Sequence, residues 1–440
     1  MKPHPLLEML ERAEFTRALG TLTRITGDYL EADGPYVSVG DYCEIEAGGG
    51  GRPLLAEVVA VEAARVRLVP VATLPKLALG ATVSRAAQAG DIAVGDRFAG
   101  RAVDGLGLPL DGKGSISPGF RRPRTGRPLP PLDRLSPSEH LPIGIRAIDA
   151  LLPIGKGQRL GIFAAAGVGK TSLIEQIARH APCDRTVLCL VGERGREVEK
   201  LWRLLSTGER GELSTLVAAT ADESPSLRIR AIEQAIALAE FWRERGEHVL
   251  LIVDSITRAA QALREIGTAS GLPPAARGLT PNVFSALPRF VERCGAARGG
   301  GAITAILTVL SETDDVDDPV VELMKSVLDG HIVLSRSLAE RQHFPAIDLP
   351  RSVSRLAGDL LDSDDLERMR QAHASIATFE EARPMIESGL YRAGSNPEID
   401  RAIALQPALS AFLRQQASER EEWAGTSRKL ADILLGGGHG

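Results

Sequence analysis

Lys170 and Thr171 close the run Ala164-Ala165-Ala166-Gly167-Val168-Gly169-Lys170-Thr171, which stands between an apolar stretch at 160–163 and an amphipathic one at 172–181. A strand, a glycine-rich loop and a helix start in that order turn backbone N–H groups inward around a polyphosphate. In such a loop the lysine reaches the β- and γ-phosphates and the threonine hydroxyl holds Mg²⁺. The strict motif opens on glycine, where Ala164 stands here; the Gly-Lys-Thr that carries the chemistry is intact. Nucleotide binding is therefore expected of Ala165, Ala166, Gly167, Val168, Gly169, Lys170, Thr171 and Ser172. The plainer reading is a glycine turn followed by a lysine at a helix start.

Hydrolysis asks for more: a metal held from a second side, an oriented water, and cations for the γ-phosphate. Asp254 ends the apolar run at 249–253. A carboxylate at the C-terminal end of a buried strand contacts Mg²⁺ beside the P-loop, usually through water; its other use is to cap the next helix. Glu193 follows the apolar run at 186–191, within Gly192-Glu193-Arg194-Gly195-Arg196-Glu197. Ligands of open α/β sheets bind at strand C-terminal ends. Glu193 is then placed to orient or deprotonate the attacking water, and Arg194 to bind the γ-phosphate in the same subunit. A surface loop of solvated salt bridges would use the same residue types, and spacing alone leaves the two readings open.

Positioning these groups requires alternating strands and helices, and residues 143–356 supply them. Apolar runs at 160–163, 186–191, 249–253, 302–309 and 331–334 are separated by long helical patterns. That alternation predicts a mostly parallel sheet with helices on both faces. Before it, short β-type runs at 21–25, 42–45, 56–61 and 65–70, divided by Gly, Asp and Pro turns, predict a small β-barrel. Residues 90–140 read as an irregular connector wrapping the core, with Arg121, Arg122, Arg124 and Arg127 as a basic cluster. Solvated surface is the expected use of that cluster; an acidic partner or a lipid surface is the alternative. After 360 strands vanish, and helical patterns at 366–386, 398–405 and 408–435 are expected to break near Pro397 and Pro407. The last residues, 436–440, read as a frayed tail. Four units follow: an amphipathic helix at 1–18, a barrel at 19–90, an α/β nucleotide domain at 91–359 and a helical domain at 360–440.

The chain has 440 residues, 44% hydrophobic and 25% charged, with a formal net charge of −5. Such a composition buries a sizeable core and carries no basic excess for coating nucleic acid. Cys43, Cys183, Cys189 and Cys294 show no C-x-x-C pairing and read as buried thiols of a reducing compartment. The first fifteen residues carry Glu8, Glu11 and Glu14 and lack an apolar secretory core, so a cytoplasmic location is expected. Leu6, Leu7, Met9, Leu10 and Phe15 give that stretch an apolar face, which either packs on its own domain or docks a partner.

Taken in order, five stretches resemble the RecA-like rotary and export ATPases, and above all the type III secretion ATPases of flagella and injectisomes. They are Gly157-Gln158-Arg159-Leu160-Gly161-Ile162-Phe163-Ala164; Gly192-Glu193-Arg194-Gly195-Arg196-Glu197; Asp254-Ser255-Ile256-Thr257-Arg258; Leu328-Asp329-Gly330-His331-Ile332-Val333-Leu334-Ser335-Arg336; and Pro345-Ala346-Ile347-Asp348. The family is similar to the catalytic subunit of the F-type ATP synthase. The resemblance implies a RecA-like P-loop core, a small N-terminal β-barrel and a C-terminal helical domain. It implies Glu193 as the catalytic glutamate, with Lys170 and Arg194 neutralising phosphate charge in cis. Glu197 becomes an outer carboxylate near Mg²⁺, beside Thr171 and Asp254. Arg355 matches an arginine finger supplied to the neighbouring subunit, and Phe344 the aromatic that stacks on adenine. ATP and Mg²⁺ are the implied substrate and cofactor.

The implied assembly is a homohexameric motor that energises cargo and chaperone release for protein export. Its implied partners are a stator-like regulator at the N-terminal helix, a central stalk, chaperone–cargo complexes and an export gate at the inner membrane. Association with that membrane would be peripheral, and no specific nucleic acid is expected. The loops at 272–282 and 312–318 would line the central channel. Two other functions use the same motifs. A non-catalytic rotary subunit keeps the P-loop but usually lacks the glutamate present here at 193. A nucleic-acid translocase needs a basic or aromatic strand platform, whereas the channel loop at 312–318 is acidic.

Overall fold

The computed structural model describes residues 18–436 apart from 48–50, 64, 73–75, 88, 127 and 312–317. The expected N-terminal helix (but for residue 18), Arg127, most of the acidic loop at 312–318 and the tail beyond 436 lie outside the described residues. Six strands close an antiparallel barrel: β1 (Leu19–Ile25), β2 (Leu30–Asp33), β3 (Tyr42–Ile45), β4 (Leu54–Glu62), β5 (Arg65–Pro70) and β6 (Thr82–Arg85). Their order is β1-β2-β5-β4-β3-β6, with β6 returning to β1, so no edge is left unpaired. Leu22, Leu30, Ile45, Val58, Leu68 and Val83 fill the interior.

The connector is more ordered than its composition predicts. It carries β7 (Ile92–Val94), β8 (Ala102–Val103), β9 (Phe120–Arg122) and β10 (Arg134–Leu135). Two members of the basic cluster, Arg122 and Arg124, are drawn into ion pairs, whereas Arg121 is exposed. Arg124 pairs with Glu57 of the barrel (2.7 Å) and Glu233 of the core (3.3 Å) and donates to the Tyr42 hydroxyl (2.7 Å). Arg122 forms a bidentate pair with Glu244 (2.8 and 2.6 Å). Carboxylates of this same chain neutralise these guanidinium groups, and Arg124 thereby ties barrel to core.

The core sheet is built from β11 (Arg159–Ala164), β12 (Arg185–Glu193), β13 (Ser214–Thr220), β14 (His248–Asp254), β15 (Gly295–Ala297), β16 (Ala302–Leu310), β17 (Gly330–Val333) and β18 (Val353–Ser354). Its order is β18-β17-β11-β16-β14-β12-β13-β8, with β15 and β10 added beside β16. The seven strands from β17 to β8 run parallel; β18 and β15 are antiparallel. Every residue of β14 is buried, as expected of a central strand with helices on both faces. The chain leaves β11 and returns three strands away as β12, which opens a crevice at the strands' C-terminal ends.

Three helices follow: Ser363–Glu387, Pro397–Leu413 and Trp423–Gly436. The expected break at Pro407 does not occur. That proline costs one backbone hydrogen bond, but buried Leu405 and Leu409 flank it and hold the turn against the core. The interruption falls instead between 413 and 423. Among the described residues no helix is long and apolar enough to cross a membrane.

Candidate active site

The P-loop joins buried β11 to the helix Lys170–His180, so Lys170 opens that helix. Its ammonium sits on the Asp254 carboxylate and 3.7 Å from Glu193 Oε1. Three separate strands thus deliver one lysine and two carboxylates to one point. Asp254 ends β14 and accepts a hydrogen bond from Thr308 of the neighbouring β16 (2.6 Å), which fixes its orientation. Ser255 caps the following helix, its hydroxyl accepting from the Arg258 N–H (3.4 Å). The helix-capping task that Asp254 could have performed therefore falls to Ser255, and the Asp254 carboxylate turns to Lys170 instead.

Glu193 owes its position to a bulge. The register of β12 against β13 shifts between Val191 and Glu193, at Gly192. Gly192 has φ 69°, and a Cβ there would stand 2.9 Å from Cβ of Arg258. Only glycine meets both demands, and the bulge re-aims the next side chain. Burial raises the Glu193 pKa, and the Asp254 and Glu197 carboxylates raise it further; Lys170 and Arg258 oppose them. Glu197, in the first turn of the helix Gly195–Ser206, is thus an electrostatic neighbour of Glu193. Arg194 is exposed at the cap of the same helix and has no carboxylate partner among the described residues.

Beside the P-loop lies a cavity of about 580 Å³ lined by Gly169, Ser172, Gln176, Phe344 and the segment 414–417. The Phe344 ring is 39% exposed and lies over Gly169, at whose Cβ position the ring edge would be 3.5 Å away. An exposed aromatic face in a cleft is what a base can stack on. Gln415 fastens the far wall. Its backbone N–H donates to Phe344 O (2.9 Å), its amide donates to Gly144 O (2.7 Å), and its amide oxygen accepts from Arg146 N–H (2.9 Å). Gln176 donates to Ser172 O (3.3 Å), while its buried amide oxygen has no partner among the described residues. Sequence reasoning missed both glutamines. The position of Gln176 six residues past Lys170 was the available signal; for Gln415, some seventy residues beyond Phe344, there was none.

The structure brings together Lys170, Thr171, Glu193, Glu197 and Asp254, with Phe344 on the flank. It does not bring Arg355 to them. Arg355 follows edge strand β18, is exposed, and donates to Lys325 O (3.0 Å). It lines neither the base cavity nor the wall formed by Ala164 and Ala165. Of the stretch 272–282, residues 272–278 are exposed between the helices Ile256–Ala269 and Pro281–Glu292, Thr280 is buried, and Pro281 and Asn282 open the second helix.

Comparison with known proteins gives this geometry a family. Residues 144–354 match the nucleotide-binding domain of the ATP synthase alpha/beta family, and residues 361–432 match the T3SS EscN ATPase C-terminal domain. The flagellum-specific ATP synthase of Pseudomonas aeruginosa is 41% identical over 97% of this chain and 99% of its own length. The type 3 secretion system ATPase of Pseudomonas syringae pv. tomato is 42% identical over 93% of this chain and 92% of its own. Among solved structures, the assembled ATPase EscN of the enteropathogenic E. coli type III secretion system superposes with a TM-score of 0.90 at 38% identity, covering 94% of this chain and all of that one. EscN in complex with its central stalk EscO gives 0.86 at 36% identity over the same share of both chains. Relatedness at this level, end to end, means that the chain belongs to the family of flagellum-specific and type 3 secretion ATPases.

Proposed function

We propose that this chain hydrolyses ATP as the homohexameric motor of a type III protein export apparatus. One observation carries the reading: Lys170, Asp254 and Glu193 converge from three strands beside an exposed aromatic base platform. Phe344 stacks on adenine, and the free amide oxygen of Gln176 suits the amino group of that base. Backbone N–H groups of 165–171 cradle the polyphosphate. Lys170 is held between two carboxylates, which places it to meet the β- and γ-phosphates. Arg194 adds charge in cis.

The oxygen donors present (the Thr171 hydroxyl, Asp254 and, further out, Glu197) fit Mg²⁺. That ion takes one or two carboxylates and leaves its other positions to phosphate and water. When bound, Mg²⁺ neutralises charge on the transferring phosphoryl group. Glu193 then aligns the attacking water and takes its proton.

Arg355 lies away from the P-loop of its own chain and is supplied to the site of a neighbouring copy. This makes turnover depend on assembly, in keeping with the assembled form of EscN. A central stalk is a partner by the same likeness. The N-terminal segment meets a regulator, the C-terminal helices meet stalk and chaperone–cargo complexes, and the hexamer works in the cytoplasm against an export gate at the inner membrane. The test is Glu193→Gln. Phosphate release with Mg²⁺ should fall by roughly 10²–10⁴-fold while nucleotide binding persists. Undiminished turnover in that variant overturns the reading.

A further inference from the structure

A second cavity, of about 350 Å³, lies where the core meets the C-terminal helices. Its floor is apolar, formed by Leu338, Ile347, Leu349, Ile376 and Leu413. Its rim carries four guanidinium groups, those of Arg341, Arg351, Arg383 and Arg414, against two carboxylates, Asp348 and Glu380. The carboxylates are already engaged. Arg383 pairs with Glu380 at 2.6 Å, and Asp348 accepts the Arg351 N–H at 3.2 Å; burial raises the Asp348 pKa, and that hydrogen bond and the Arg351 charge oppose the rise. Arg341 and Arg414 have no carboxylate partner among the described residues, so the rim holds an excess of two positive charges. Buried His343, also in the lining, has its pKa lowered chiefly by burial and further by Arg414.

We propose that this cavity binds a small amphipathic anion, an aromatic or branched apolar body bearing one or two acidic groups, and that its occupancy is coupled to nucleotide binding. The volume falls within the range of small-molecule sites. An apolar floor under planar, weakly hydrated guanidinium groups recognises an apolar body joined to a carboxylate, sulfonate or phosphate. Bare inorganic anions would leave the floor wet, and uncharged apolar molecules would leave two cations unpaired.

The coupling follows from shared walls. Arg414 lines both this cavity and the base cavity. His343 lines this one and its chain neighbour Phe344 the other. An occupant that moves Arg414 or the backbone at 343 moves the base platform, and by linkage nucleotide must change the occupant's affinity by the same factor. This half of the proposal rests on the base cavity being where the nucleotide sits.

The experiment is calorimetric titration of the full chain with naphthalene-1,5-disulfonate. One saturable site per chain is expected, weakened by roughly tenfold or more in Arg341→Glu, which reverses one charge on an exposed side chain. Lys170→Ala should leave it intact, and Arg341→Glu should leave basal turnover unchanged. At saturating probe the apparent affinity for ATP should shift in the wild type and not in Arg341→Glu. Absence of saturable binding, equal binding in Arg341→Glu, or loss of binding in Lys170→Ala overturns the site; the last would place the probe in the polyphosphate crevice. Binding as expected with unmoved ATP affinity overturns the coupling. A chain that binds the probe but cleaves no ATP would leave the site standing and remove the ATPase reading.

Discussion

Glu193 can take a proton from water only as the carboxylate, and its surroundings resist that form. Burial is the largest cause, followed by Asp254, with Lys170 as the main counterweight. Its pKa therefore lies above the ordinary glutamate value, and the sign follows. If Glu193 is the proposed base, turnover should be present above that pKa and lost as pH falls through it, so the acid limb of kcat/KM should stand at higher pH than an ordinary carboxylate would give. That ratio reports groups of the free enzyme. Glu197 also raises the pKa of Glu193, whereas Arg258 lowers it. Glu197→Gln should move the acid limb to lower pH, and Arg258→Gln should move it to higher pH. A pH–rate profile of the two variants checks this; limbs that stay put in both would mean that some other group titrates there.

At the scale of elements, the contact between β17 and β18 sets where Arg355 stands. Gly330 of β17 pairs with Ser354, and a Cβ on it would meet the Val353 carbonyl oxygen at 2.7 Å. That oxygen is backbone and cannot swing aside, so Gly330→Ala must push β18 outward and carry Arg355 with it. A displacement of about 1 Å at a charge-stabilising group costs up to roughly a hundredfold in rate. Phosphate release should fall toward that range while nucleotide affinity, measured by fluorescence titration, holds within about twofold. Full turnover in Gly330→Ala would show that the position of β18 is immaterial. Elements also divide what the sequence discloses from what it hides. The strands behind Lys170, Glu193 and Asp254 were legible because each is an apolar run, the last two leading directly into the functional residue and the first into the glycine-rich loop that ends at Lys170. Strands β2, β6 and β13 were not: Leu30-Glu-Ala-Asp, Thr82-Val-Ser-Arg and Ser214–Thr220 are short or weakly apolar and gain their burial from neighbours. The bulge at Gly192 and the bracing of Phe344 by Gln415 depend on partners far away in sequence, which no local pattern encodes. The helix through Pro407 likewise misled, because packing of its flanks outweighs one missing hydrogen bond.

For the whole molecule, the separation of Arg355 from Lys170 within one chain has a consequence that tests assembly directly. If Arg355 completes the site of a neighbour, each site needs a P-loop from one copy and a guanidinium from the next. Lys170→Ala should then bind nucleotide poorly and Arg355→Ala should bind it well, with both nearly inactive alone. Mixed in equal amounts, disassembled and allowed to reassemble, the two variants form some junctions that join the intact P-loop of one to the intact arginine of the other. With random mixing in a closed ring of like subunits, roughly a quarter of junctions are of that kind. Phosphate release should rise from near zero toward a comparable fraction of the wild-type rate, and more steeply with protein concentration than a fixed activity would. If Arg355 instead served its own chain, each mutated copy would remain defective in its own site and no mixture would regain activity. Because the guanidinium just past the exposed edge strand donates to the Lys325 carbonyl and has no carboxylate partner among the described residues, it can be offered to another molecule without breaking an ion pair among them. The rise on mixing therefore measures the sharing of the site rather than a refolding of either variant.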